Sequence, residues 1–314
     1  MARPVVVQHA EPGAPSPGGA PRSFLRNLLI ALRPGQWTKN LVVFAGLMFG
    51  RQLLNVEALA ATLAAFGVFC GLSGVVYLVN DVADREQDRL HPKKRYRPIA
   101  SGALPVRAAL AAAVVIAAVA LAVAWVIGRP FATVAVAYLA LLTLYSGPLK
   151  RVVILDVLTI AVGFVLRAAG GAVAIGVPIS HWLLVCTILL ALFLALAKRR
   201  QEITMLADGA ASHRAILSEY SPPLLDQMIA IVTASTLMAY ALYTVSPETV
   251  AKFGTDRLLF TFPFPLYGIF RYLYLVHQRQ GGGSPAELLL KDRPLLACVA
   301  SWALAVAAII YGPF

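Results

Sequence analysis

The chain of 314 residues is 59% hydrophobic and 13% charged, with a mean hydropathy of +0.75 and a formal charge of +12. These values exclude an ordinary soluble domain and describe a polytopic membrane protein. Positive charge of this size follows from membrane topology and attraction to anionic lipid, which excludes a nucleic-acid partner.

Residues 1–22 collect Pro, Gly and Ala without apolar periodicity, so they read as a disordered tail with no cleavable signal pattern. A single transmembrane domain then occupies 23–314. Its first stretch, 23-SFLRNLLIALRPGQ-36, has the spacing of a helix lying on the membrane surface. Apolar runs near 37–50, 58–79, 106–127, 130–147, 152–176, 181–197, 224–246, 256–277 and 294–312 predict an all-α bundle of about nine transmembrane helices. The first run is short and interrupted by polar groups. With nine crossings and the N-terminus inside, 22 of the 27 Lys and Arg residues fall in cytoplasmic segments, and Phe314 lies outside. Chemistry is therefore expected on the cytoplasmic face of an inner or cell membrane, under helical cap loops.

The second run leads into 80-NDVADREQDRLHPKKRYRPIASG-102. On one continuous helix Asn80, Asp81, Asp84 and Asp88 fall within an arc of about 100°. Like charges so placed need neutralising, and an oxygen-only donor set suits Mg2+ completed by substrate phosphate oxygens. The bland alternative is a solvated loop whose acids pair with Arg85, Arg89 and Lys93. Against it, His91, Lys93, Lys94, Arg95 and Arg97 follow at once and supply donors for the anion that a metal would bridge.

Lys39 sits at the mouth of the first run, where it either reaches a phosphate or snorkels to headgroups. Tyr145 and Lys150 flank the end of the fourth, where a Tyr is commonly an interfacial residue. Along the fifth, Asp156, Gly163, Arg167 and Gly170 form one stripe that faces the protein interior. Arg167 lies about 16 Å deeper than Asp156, as a structural cation or a substrate contact. The sixth ends in 198-KRRQE-202, where Lys198 and Glu202 share a face beside Arg199. Cys70, Cys186 and Cys298 are isolated in apolar runs and read as packing, and no nucleotide-binding motif occurs.

The stretch NDVADREQD matches the NDxxDxxxD motif of the UbiA superfamily of intramembrane prenyltransferases. Together with 34-PGQWTKN-40, 145-YSGPLK-150, 156-DVLTIAVGFVLRAAGGA-172 and 198-KRRQE-202, it resembles the decaprenyl-phosphate phosphoribosyltransferase branch. The superfamily's second acidic motif, on the sixth helix, is absent, and KRRQE stands in its place. The resemblance implies Mg2+-dependent transfer of 5-phosphoribosyl from phosphoribosyl pyrophosphate to a polyprenyl phosphate, for synthesis of a cell-envelope arabinose donor. It implies Asp84, Asp88 and Lys198 as catalytic groups and Asn80, Asp81, Asp84 and Asp88 as the metal set. Substrate contacts fall to Lys39, Lys94, Arg95, Arg97, Tyr145, Lys150, Asp156, Arg167, Lys198, Arg199 and Glu202. The connection 200–222, with Gly209, Pro222 and Pro223, is a candidate lid. The rivals are an aromatic prenyltransferase, which the missing motif disfavours, and an anionic-lipid transporter, which would bind without turnover.

Overall fold

The computed structural model describes residues 23–92, 94–207, 216, 219–278 and 285–312, so the expected tail 1–22, Lys93 and most of the candidate lid lie outside the described residues. Within them every regular element is helical, and eight helices are long and apolar enough to cross a membrane.

Helix α1 (Phe24–Leu32) starts at Ser23, whose hydroxyl accepts from the Arg26 amide, and leaves Phe24, Leu25, Leu29 and Ile30 exposed. The expected first span is not one of the eight. Pro34–Phe44 winds as a 3₁₀ helix and is followed by the short α2 (Ala45–Phe49). Close packing is the physical reason, because a Cβ on Gly171 would run into the Val43 carbonyl and one on Gly46 would lie 2.7 Å from the Ala172 amide. Two backbones meet here without side chains between them, and the tighter 3₁₀ winding fits that gap. At the far end Tyr311 donates toward the carbonyls of Leu47 (3.3 Å) and Met48 (3.1 Å) and accepts from the Leu53 amide (3.0 Å).

Asn55 caps α3 (Val56–Ala83) by accepting from the amides of Glu57 and Ala58. A short α4 (Arg85–Leu90) follows directly. Next come α5 (Val106–Ile127), α6 (Arg129–Ser146), α7 (Leu155–Ala174) and α8 (His181–Ala207). The chain ends through α9 (Pro222–Val245), α10 (Pro247–Phe253), α11 (Pro263–Gln278), α12 (Pro285–Lys291) and α13 (Arg293–Tyr311).

Helix α3 packs on α5 and α6, and α7 packs on α6, α8 and the 3₁₀ segment. Of their apolar stretches, α3 and α7 bury 56% and 50%, against 17% for α5. The two central helices are thus the ones that carry the acidic motif and the Asp156–Arg167 stripe, while α5 packs one alanine-lined face inward and turns most of its side chains outward. Phe69 of α3 meets Phe131 and Tyr138 of α6 edge-on at centroid distances of 5.8 and 5.2 Å, which fixes these helices together.

Candidate active site

The acidic motif straddles a break. Helix α3 ends at Ala83, and Asp84 adopts φ −92° and ψ 8° between α3 and α4. The single-helix arc expected for Asn80, Asp81, Asp84 and Asp88 is therefore only partly formed. Asp81 and Asp88 are buried and close on one nitrogen, Nη1 of Arg97, at 3.1 and 2.6 Å. Asp81 also takes a hydrogen bond from Arg33. Asp84 turns away to Lys150, whose Nζ lies 3.2 Å from its Oδ1. Asn80 is partly buried, and its carbonyl accepts from the Asp84 amide at 2.8 Å.

Among the described residues no group of three or more His, Cys, Asp and Glu is arranged to hold a metal ion. The bases explain this, since each motif carboxylate that would ligate a metal already neutralises a guanidinium or an ammonium. The donor set nonetheless suits Mg2+: it is all oxygen, and two buried carboxylates already converge on a single cationic atom. Lys94 joins the short turn after α4, its amide 3.3 Å from His91 Nδ1. Arg95 is exposed, with its guanidinium bonded to the Tyr96 hydroxyl and stacked on that ring. The structure does not bring Arg95 to the carboxylates.

The three consecutive bases at the end of α8 point three ways, as successive positions 100° apart must. Arg200 goes outward to Asp226 of α9 at 3.1 Å. Arg199 goes inward, 2% exposed, and donates Nε to Asp156 Oδ2 at 2.9 Å and Nη1 to Glu202 Oε2 at 2.6 Å. Its Nη2 lies 3.4 Å from the Tyr145 hydroxyl. Lys198 stays partly exposed, with Nζ 3.6 Å from Glu202 Oε1.

Asp156, expected to touch substrate, is fully buried, and its second oxygen accepts from the Tyr220 hydroxyl at 2.7 Å. Both oxygens of Asp156 are thus occupied inside the protein. Tyr220 also accepts from the amide of Ile154, a β-branched residue at φ 69°, and so stabilises a conformation such residues rarely adopt. Burial, and then the donation to Asp156, push the Tyr220 phenol up to about 12, so it remains a donor at every ordinary pH.

Deeper in the bundle, Arg167 donates Nε to Asn40 Oδ1 and Nη2 to the Tyr138 hydroxyl, at 2.7 and 2.6 Å. Its guanidinium also lies over the rings of Tyr138 and Phe164. Asn40 lies within hydrogen-bond reach of Ser73 and Cys70 as well. No carboxylate pairs with Arg167 among the described residues. Lys39 is partly buried, and the charges that act on it, those of Lys198, Arg167 and Arg33, are all cationic. Sequence reasoning gave Arg33, Tyr138 and Tyr220 no role at this site: Arg33 reads as an anchoring charge, Tyr138 is lost in an apolar run, and Tyr220 is brought in by the fold.

Residues 40–290 match the family model of the UbiA prenyltransferase family. The chain belongs to the UbiA prenyltransferase family. It is accordingly a transferase and a multi-pass membrane protein. Among curated relatives, the decaprenyl-phosphate phosphoribosyltransferase of Mycolicibacterium smegmatis is 31% identical, the match covering 96% of this chain and 98% of that one. The protein of the same name from Corynebacterium glutamicum is 33% identical over 93% and 89% of the two chains. A UbiA homolog from Archaeoglobus fulgidus, solved bound to GPP and Mg2+, superposes with a TM-score of 0.68 at 19% identity, covering 90% of this chain and 99% of that one. That likeness establishes the shared fold.

Proposed function

We propose that this UbiA-family transferase moves a 5-phosphoribosyl group from phosphoribosyl pyrophosphate to the phosphate of a polyprenyl phosphate, decaprenyl phosphate being the natural first choice, and releases pyrophosphate. The names of its full-length relatives support this. The observation that carries it is a surplus of cations: Arg33 and Lys198 are paired with Asp81 and Glu202, but Lys39 and Arg167 meet no carboxylate among the described residues. A substrate pair bearing a diphosphate, a sugar phosphate and a lipid phosphate needs that excess of positive charge, whereas an allylic diphosphate alone does not.

In the reaction the ribose C1–O bond to pyrophosphate breaks and a C1–O bond to the lipid phosphate forms. The attacking oxygen is already ionised at neutral pH, so no strong general base is required. Asp81, Asp84 and Asp88, with Asn80, would hold Mg2+, which when bound supplies Lewis-acid stabilisation to the diphosphate. Lys150 and Arg97 stand beside these carboxylates, and Lys94 on the adjoining turn, to neutralise the leaving anion. Glu202, held by Arg199, keeps Lys198 directed at the donor's phosphate. The site opens toward the cytoplasm, where most of the basic residues gather.

The test is a donor competition on the purified protein with Mg2+. The expected result is pyrophosphate release that requires both phosphoribosyl pyrophosphate and polyprenyl phosphate. Release from an allylic diphosphate with a phenolic acceptor would overturn this in favour of an aromatic prenyltransferase.

A further inference from the structure

The cations fall into two layers, and the deeper one has no work to do for a water-soluble donor. The shallow layer consists of Arg97, Arg33 and Lys150, each closed on a carboxylate of the acidic motif. The deeper layer consists of Lys39 and Arg167, neither of which meets a carboxylate among the described residues. Arg167 follows Asp156 by eleven residues on α7, about 16 Å along the axis. Its side chain leans back toward the cytoplasmic end of α7, as helical side chains lean toward their own N-terminus.

Burying a cation without a counter-charge opposes folding, and for Arg167 the offset comes from neutral groups, the hydrogen bonds to Asn40 and Tyr138 and the rings of Tyr138 and Phe164, with no anion to complete it among the described residues. The same 3₁₀ segment carries two further unsatisfied groups, since the indole Nε1 of Trp37 and the hydroxyl of Thr38 are buried without hydrogen-bond partners. Residues three apart eclipse one another on a 3₁₀ helix, so Trp37 lies directly above Asn40, the partner of Arg167. Trp37 and Asn40 therefore share the face turned to Arg167, while Thr38 and Lys39, each a third of a turn further round, lie on the two flanking faces of the same short piece of chain.

We propose that this deeper layer is the seat of the acceptor's phosphate, a lipid-borne monophosphate ester, and that the carboxylate layer above it takes the sugar donor. The inference rests on the function proposed above and deepens it. Depth decides between the two substrates. A soluble donor carrying several negative charges would have to leave water to reach below the interface, whereas a phosphate on a polyprenyl chain arrives from the bilayer with its chain still in hydrocarbon. The exposed Phe24, Leu25, Leu29 and Ile30 of α1 lie just ahead of the same segment and give the lipid an apolar approach to it.

The test measures direct binding to the full-length protein in nanodiscs of zwitterionic lipid, with farnesyl phosphate, farnesol, inorganic phosphate and phosphoribosyl pyrophosphate as separate probes. Lys39→Met is expected to weaken farnesyl phosphate ten- to hundredfold and to leave farnesol and phosphoribosyl pyrophosphate within twofold, with Lys39→Arg recovering most of the loss. Trp37→Phe, which keeps the ring and removes the N–H, is expected to weaken farnesyl phosphate by severalfold without unfolding the protein. A loss confined to phosphoribosyl pyrophosphate, or equal for both phosphates, would overturn the assignment. So would an unchanged farnesyl phosphate affinity in both variants, or inorganic phosphate binding as tightly as the lipid phosphate. The lipid arm contains no sugar donor, so its result stands even if turnover of phosphoribosyl pyrophosphate fails.

Discussion

Arg199 shows how a residue type can be noticed for one reason and retained for another. Its charge invites a phosphate, yet its nitrogens are engaged by Asp156, Glu202 and Tyr145. Its task is to hold Glu202 and, through it, Lys198. Removing one partner of a buried pair strands the other, at a cost of about 3–5 kcal/mol, whereas exchanging both for apolar groups is often neutral. Asp156→Asn should therefore lower the thermal midpoint markedly, and Asp156→Leu combined with Arg199→Met should recover much of the loss. Thermal unfolding in detergent measures both, and a double variant no more stable than the single one would contradict the pairing. For the acidic motif the expectation concerns turnover. Asp84→Asn and Asp88→Asn should each reduce it by at least about 100-fold in a protein that still inserts, because each replaces an anionic carboxylate of the proposed metal set with a neutral amide. Full activity in both would sink the metal assignment.

At the scale of elements, the long apolar helices were legible from hydropathy alone, because period and length are properties of the local sequence. The run expected at 58–79 extends to Val56 and Ala83 once the Asn55 cap is added. Two features were not legible. The break at Asp84 goes with side-chain pairings that periodicity does not reveal, Lys150 from a distant segment drawing Asp84 one way and Arg97, nine residues on, drawing Asp88 another. The 3₁₀ winding of Pro34–Phe44 depends on Gly171, more than a hundred residues away. The candidate site was read in the same uneven way: the sequence exposed its charges but not their pairing, which only the packing of α3, α7 and α8 decides. Gly171→Ala tests the backbone contact. Its methyl group would meet the Val43 carbonyl, and such overpacking costs about 1–3 kcal/mol. A lowered thermal midpoint is expected, together with weaker binding of lipid phosphate as Lys39 shifts with the segment. A variant as stable as the parent would show that the segment has room to move.

For the whole molecule, the question is how many times the chain crosses the bilayer. Eight long helices alone would return both termini to the same side. A crossing by the 3₁₀ segment would change that count. Its eleven residues at about 2.0 Å each, continued by the five of α2 at about 1.5 Å, extend roughly 30 Å, the thickness of the hydrocarbon core. Its ends are tied to opposite sides of the bundle. Arg33 bonds Asp81 at the C-terminal end of α3, and Leu47 and Met48 bond Tyr311 at the closing end of α13. A non-helical crossing of this kind is tolerated only where its backbone is shielded by protein, and the backbone packing against Gly171 and Ala172 provides that shield. Nine crossings would put Arg33 and the acidic motif on the side where basic residues gather, and the C-terminus on the other. Reporter fusions in a bacterial host are therefore expected to place residue 22 in the cytoplasm and residue 314 outside it, with the α3–α5 connection on the cytoplasmic side. If both termini report from one side, the 3₁₀ segment does not cross. Lys39 would then no longer enter with the crossing chain, and the deep phosphate seat would lose its access from the cytoplasmic leaflet.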